Sequence, residues 1–316
     1  MTTDTTSDKI CIHDDLEDGS GQVNSYRFCI PIYITNSFGL NLRREGDLIA
    51  TAGQQPKVRS GTLTFVQRDN QVYGITCRHV LDALEKEEAS FRKTLPKIVP
   101  PVGGFLGFRY PTLTEQIHIN AKFYPAWIDN FTDQGKDLAI ARITSETFAK
   151  IGREAIPFNR IGMPPDNSLP HLGGIATGFP EQSRISRKSD GNVQKLSMPT
   201  VVAVAPFEAA CESSLRLQAE LESLPEANNL SGMSGGPILW TCRDGWGLAG
   251  IVTEGWDIHP TSATEAITPI HEHPKIHIKG EPLTSSIIDE LISVIPDDDP
   301  AVPYFETKVY PLARKA

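Results

Sequence analysis

The chain has 316 residues, 39% of them hydrophobic, with 25 Gly, 24 Pro and a formal net charge of −9 at pH 7. That length admits one large domain or two small barrels with a shared core. The composition is that of a turn-rich globular protein and excludes a disordered or coiled-coil chain. The acidic balance, without clustered Lys and Arg, argues against a nucleic-acid partner, and no apolar run reaches the length of a membrane span.

Residues 1–24 are polar and acidic (Asp14-Asp15-Leu16-Glu17-Asp18) and read as a flexible extension. From Tyr26, apolar residues alternate between turn formers. Strands are expected near 26–35, 61–68, 72–78, 104–110, 116–124 and 137–143, enough for one barrel. Asp69-Asn70 centres a hairpin turn that sets residues 72–77 antiparallel to residues 63–66. A short helix of good helix formers runs over residues 79–89, and the link to a second unit falls within residues 149–165.

Further strands are expected near 172–178, 194–205, 214–221, 236–241, 246–253 and 275–279. Over residues 214–221 the alternation of Leu215, Leu217, Ala219 and Leu221 favours a strand over a helix. The polar run 181–191 reads as a surface loop. Residues 284–295 form a helix with Ile287, Ile288, Leu291, Ile292 and Ile295 on one face. Pro296 and Pro300 bound its end, and in the tail Tyr304, Phe305, Val309 and Tyr310 either pack back or bind a partner.

The chain is organised around Leu230-Ser231-Gly232-Met233-Ser234-Gly235-Gly236-Pro237. A serine between glycines, feeding into an apolar strand, is a turn that pushes one hydroxyl outward. In that turn the N–H groups of Gly232 and Ser234 can converge beside the Ser234 hydroxyl, as stabilisation of an oxyanion requires. An incidental serine in a glycine-rich turn has the same local pattern, so partners elsewhere decide. A hydroxyl needs a base, and the base an orienting group. His79 follows the apolar run Ile75-Thr76-Cys77 and Asp137 heads the run 138–143. Asp82 is a competitor one helical turn beyond His79; Asp129 and Asp133 rank lower. The gaps are 58 residues from His79 to Asp137 and 97 from Asp137 to Ser234.

Thr76-Cys77-Arg78-His79, Asp137-Leu138-Ala139-Ile140 and Gly232-Met233-Ser234-Gly235-Gly236-Pro237 resemble, in that order, the three motifs of the chymotrypsin-like (trypsin-fold) serine proteases. The resemblance covers roughly residues 26–260. It implies an all-β fold of two six-stranded antiparallel barrels with a closing C-terminal helix: residues 25–150 carry His79 and Asp137, residues 151–282 carry Ser234, and residues 283–316 hold the helix and tail. It also implies a serine endopeptidase with catalytic His79, Asp137 and Ser234 and an oxyanion hole at Gly232 and Ser234. Thr253, Glu254 and Gly255 resemble the segment that pairs with substrate. Asn228 stands in the specificity pocket where trypsin-like members have an acidic residue.

Two departures matter. Met233 replaces the aspartate that in zymogen-type members pairs with a freed amino terminus, so control by that route is not expected. Cys77 lacks the partner with which secreted members form a disulfide beside the catalytic His. The odd set of cysteines at 11, 29, 77, 211 and 242, and an N-terminus without a basic region followed by an apolar run, point to a soluble cytoplasmic protein with reduced thiols. His271, His273 and His277 alternate without completing a tetrahedral ligand set. No metal or cofactor is expected; the expected partners are a protein or peptide substrate and an activating protein, with no nucleic acid or membrane. The alternative function is a protease-like scaffold with little turnover.

Overall fold

In the computed structural model the described residues are 10–36, 60–94, 106–111, 116–119, 121–126, 135–164, 172–180, 185–188, 194–197, 200–211, 214–220, 230, 232–258, 275–297 and 299. Asn228, Asp129, Asp133, His271, His273 and the tail residues beyond 300 lie outside them. Two strands in the N-terminal half, β2 (Ser60–Arg68) and β3 (Gln71–Thr76), pair antiparallel from Thr64 opposite Ile75 to Arg68 opposite Gln71, as the alternation predicts. Asp69 closes this hairpin at φ 53°, a left-handed conformation that Asp tolerates better than most residues.

Around this hairpin an eight-stranded sheet curls, preceded by β1 (Cys29–Asn36). It continues through β4 (Leu106–Pro111), β5 (Gln116–His118), β6 (Tyr124–Pro125), β7 (Ala139–Ile143) and β8 (Ile156–Pro157). Its order is β5-β4-β1-β2-β3-β7-β6, with β8 parallel to β2. The second unit is a closed barrel of β9 (Gly173–Gly178), β12 (Val201–Cys211), β13 (Ser214–Glu220), β14 (Pro237–Cys242), β15 (Gly245–Ile258) and β16 (Lys275–Pro282). The architecture is the expected chymotrypsin-like double barrel, except that the first unit is a curled sheet, unclosed among the described residues.

Several local expectations change. The 3-10 turn Ser25–Phe28 occupies the start of the first expected strand, because the buried Ser25 hydroxyl is held 2.5 Å from that of Thr177. The strand expected at 116–124 breaks where the Ala121 N–H turns back to the Ile119 carbonyl at 2.9 Å, a three-residue turn. Residues 185–188 (β10) pair with residues 194–197 (β11) as a two-stranded ribbon where a loop and the start of one long strand were expected. The first helix, α1 (Arg78–Thr94), is longer than predicted. A helix the sequence reading missed, α2 (Ser145–Ile151), occupies the expected link; the Thr144 hydroxyl caps its start and Gly152 ends it at φ 65°, ordinary helix stop signals.

The expectation of a flexible N-terminal extension fails for residues 10–24. Leu16 is fully buried in the core of the first unit, the His13 N–H donates to Thr241 Oγ1 at 2.8 Å, and Trp246 Nε1 donates to Asp15. The acidic composition concealed one apolar anchor. The C-terminal helix α3 (Ser285–Ser293), capped by the Thr284 hydroxyl, returns to the first unit and buries Ile288 and Leu291 in the same core. The second barrel has its own core around Leu215, Leu217, Met233, Ile238 and Val252.

Leu16→Ala removes a fully buried side chain and should lower unfolding stability by about 2–5 kcal/mol in denaturant titration. A loss within about 0.5 kcal/mol, the range of surface substitutions, would return residues 10–24 to the role of a loose extension.

Candidate active site

The serine turn needs its glycines for space. A Cβ on Gly235, which lies at φ 94°, would stand 1.9 Å from the Thr62 carbonyl oxygen, and one on Gly236 1.8 Å from that of Thr177. Both neighbours are backbone, so neither can give way. Gly61 serves the same seam: a Cβ there would stand 2.8 Å from Val80, next to His79, and 3.4 Å from the Ser234 carbonyl oxygen. The serine turn of the second barrel and the histidine of the first unit therefore flank one strand.

That strand and its neighbour hold the turn with threonines. Thr62 Oγ1 donates to the Gly232 carbonyl at 2.9 Å and accepts from Phe179 N–H at 3.3 Å. Thr64 Oγ1 donates to the Gly235 carbonyl at 2.7 Å, and Thr76 Oγ1 to the Thr62 carbonyl at 2.8 Å. The Thr62 N–H donates to the Ser234 carbonyl at 2.8 Å, and the Gly235 N–H to the Val252 carbonyl at 2.8 Å. All three threonines are fully buried. The sequence reading missed them, although hydroxyls at inward positions of otherwise apolar strands were the available signal.

Met233 is also fully buried, in the second core, and packs on Gly178. An apolar anchor thus stands where the resembling family has an aspartate. Among the described residues neither the Gly232 nor the Ser234 N–H donates to a backbone carbonyl.

His79 lies in the first turn of α1, and the pairing of Thr76 with Ala139 brings Asp137 to the same end of the sheet. Asp137 grips the histidine twice: Oδ1 accepts from the His79 backbone N–H at 3.0 Å, and Oδ2 lies 2.7 Å from Nδ1. With Asp137 ionised, the ring proton belongs on Nδ1 and Nε2 is left free as a base. The Asp137 hydrogen bond lifts the imidazole above its ordinary 6.5; partial burial opposes the rise, and the charges of Asp137, Glu254 and Asp82 add to it. Asp82 instead pairs with Arg78 at 3.9 Å, which removes it as a competing orienter. The side chains of His79 and Asp137 are 49% and 34% exposed, so solvent reaches both. Cys77, fully buried, donates its thiol to the Val252 carbonyl at 3.1 Å. Burial above all, with the Asp137 charge, holds that thiol well above its ordinary range.

The Ser234 hydroxyl is half-buried and donates to the Thr253 carbonyl at 3.0 Å. Thr253 belongs to the stretch of β15 beyond its pairing with β14, where β16 holds one edge (Glu254 opposite Lys279, Gly255 opposite Ile278). Glu254 is exposed, and Leu230 covers Gly255, so that a Cβ on this glycine would stand 3.0 Å from the leucine Cβ. The structure thus brings Thr253, Glu254 and Gly255 beside the serine. His277 lies in β16 opposite Gln218 and Trp256.

No family model and no curated relative matches the chain. Among solved structures it is similar to the thermostable serine protease AL20 from an extremophilic microorganism, at 13% identity over 84% of this chain and 95% of that one, with a TM-score of 0.42. It is also similar to a structure of the Sesbania mosaic virus VPg study (13% identity, 80% and 91% coverage, TM-score 0.33). A third is the human pathogenic astrovirus serine protease (12% identity, 78% and 86% coverage, TM-score 0.30). At these scores the likenesses assign no residue and no activity here.

Two outcomes test the geometry. Thr62→Val keeps the shape and strands the Gly232 carbonyl, so stability should fall by about 1–3 kcal/mol in denaturant titration; no change would mean the hydroxyl does not hold the turn. In an NMR titration, the His79 ring should titrate above 6.5 and move down in Asp137→Asn. The sign follows from a raised folded-state value: the pair stabilises the fold below the ordinary value, and that contribution is lost as pH rises through the lifted one. An unmoved His79 titration in Asp137→Asn would count against the coupling.

Proposed function

We propose that the chain is a serine endopeptidase that hydrolyses peptide bonds through an acyl-enzyme. The carrying observation is the two-point grip of Asp137 on His79, at the barrel seam where the Ser234 turn is clamped. In this reading Ser234 Oγ attacks the carbonyl carbon while His79 Nε2 takes its proton and later returns it to the leaving amine. Asp137 holds the productive tautomer and stabilises the imidazolium. The N–H groups of Gly232 and Ser234 receive the oxyanion. A substrate strand adds along Thr253 to Gly255, with Glu254 offering a negative charge to a basic side chain.

The hydroxyl bonded to the Thr253 carbonyl and Leu230 seated on Gly255 support a second element: a resting state. A substrate strand that takes the Thr253 carbonyl would release the hydroxyl toward His79, and an activating partner acting on the turn would do the same. Without either, the protein would behave as a protease-like scaffold. Five free cysteines support a reducing, cytoplasmic setting, and among the described residues no helix is long and apolar enough to cross a membrane.

Intact-mass spectrometry after a fluorophosphonate probe should show one adduct on the wild type and none on Ser234→Ala, whose turnover of a peptide library should fall by about 10⁶-fold. An unlabelled, folded wild type that gains the adduct only with added lysate would favour partner activation. An unlabelled protein under every condition would leave the scaffold.

A further inference from the structure

Behind the imidazole, three groups meet of which the proposed mechanism uses two. Cys77 Sγ, a ring nitrogen of His79 and a carboxylate oxygen of Asp137 lie within 4.8 Å of one another, and among the described residues no other three His, Cys, Asp or Glu side chains converge in this way. Thiolate, imidazole and carboxylate are the donor types that Zn²⁺ takes in tetrahedral sites. At bond lengths of about 2.0–2.3 Å, its ligand atoms stand roughly 3.3–3.7 Å apart. Closing on an ion therefore asks the His79–Asp137 contact, now 2.7 Å, to open by about 0.6 Å by that tetrahedral geometry, a rotamer-scale adjustment.

We propose that Cys77, His79 and Asp137 form a three-ligand site for Zn²⁺ or a similarly thiophilic dication, and that its occupancy switches the active site off. The switching half rests on the proposed peptidase; the binding half stands without it. The site has a floor and a mouth: Cys77 is fully buried, whereas the His79 and Asp137 side chains are 49% and 34% exposed. Solvent can supply the fourth ligand from that open side. The local charge also suits a cation, because Glu254 and Asp82 act on the imidazole, Glu281 on the thiol and Asp137 on both. Lys136 answers part of this through its ion pair with Glu281 at 3.0 Å. The thiol itself has no part in the proposed proton relay.

The chemistry of the switch is a change of tautomer. Nδ1 is the nitrogen that faces Asp137, so an ion held between them bonds Nδ1. The ring proton then resides on Nε2, which becomes a donor and can no longer accept the Ser234 proton. The Cys77 proton leaves to solvent as the thiolate binds, while the imidazole keeps one proton at a new position. One proton is released per ion bound. Loss of the productive tautomer is costly in triads of this kind, about 10⁴-fold in rate.

The test separates binding from function. Metal-free protein is titrated with Co²⁺ and followed by thiolate-to-cobalt charge-transfer absorption, with Zn²⁺ as competitor. The expected result is a band that saturates at a single equivalent, is displaced by Zn²⁺ and is absent from both Cys77→Ala and Cys77→Ser. Two variants guard against one that folds poorly, as judged by circular dichroism. In parallel, Zn²⁺ should slow fluorophosphonate labelling of Ser234 at least tenfold, within the loss expected of a wrong tautomer, and a chelator should restore it. Each Cys77 variant, compared with its own metal-free labelling rate, should need at least about 100-fold more Zn²⁺ for the same slowing, since losing a ligand costs no less than losing its support. Absence of a Cys77-dependent band would overturn the site. Equal Zn²⁺ sensitivity of wild type and variants would place the ion elsewhere and overturn it too. A band with unchanged labelling would overturn the switch, whereas a band on protein that no condition labels would uphold the site and sink the peptidase reading.

Discussion

The structure depends on a hydrogen-bonded clamp between its two halves. The Gly232–Gly236 turn belongs to the second barrel, yet the Gly232, Ser234 and Gly235 carbonyls are satisfied by Thr62 and Thr64 of the first unit. A buried carbonyl without a donor costs more than a single hydrogen bond contributes. The halves therefore cannot slide without stranding several such groups at once. Register across the seam is thus fixed, with the Ser234 turn held against β2.

Apolar anchors reinforce that register from both ends of the chain. Met233 ties the turn into the second core, while Leu16 near the N-terminus and Ile288 and Leu291 of α3 bury into the first. Ser25 and Thr177 share a hydrogen bond beneath the turn, and Phe28 stacks on Trp246 of the second barrel with ring centroids 5.2 Å apart. The segments outside the two sheets thus act as straps across them.

The site couples orientation to restraint. Asp137 closes the first turn of α1 and orients the imidazole with its two oxygens, so helix capping and tautomer selection share one carboxylate. The same carboxylate lies beside Cys77, so that thiol, imidazole and carboxylate meet in one cluster. On the other side of the seam, the Thr253 carbonyl accepts from the serine hydroxyl.

Much of this was legible in the chain. Period-two alternation exposed most strands, the Asp69-Asn70 turn set the β2–β3 register, and Thr284 marked the start of the closing helix, because these signals are local and set by backbone geometry. Three spaced motifs singled out His79 and Asp137, which the structure joins by two hydrogen bonds, and Ser234, whose turn lies against β2. The short helix α2 and the β10–β11 ribbon escaped, being too short to show a period; so did the burial of Leu16, a single apolar residue in an acidic run. Only the tertiary structure decided that Asp82 turns to Arg78, that Thr62 and Thr64 clamp the serine turn, and that Cys77 lies beside the Asp137 carboxylate. Each depends on which partner stands at bonding distance in the folded chain, from the next helical turn for Asp82 to the other half of the molecule for Thr62 and Thr64, and one-dimensional spacing does not encode that.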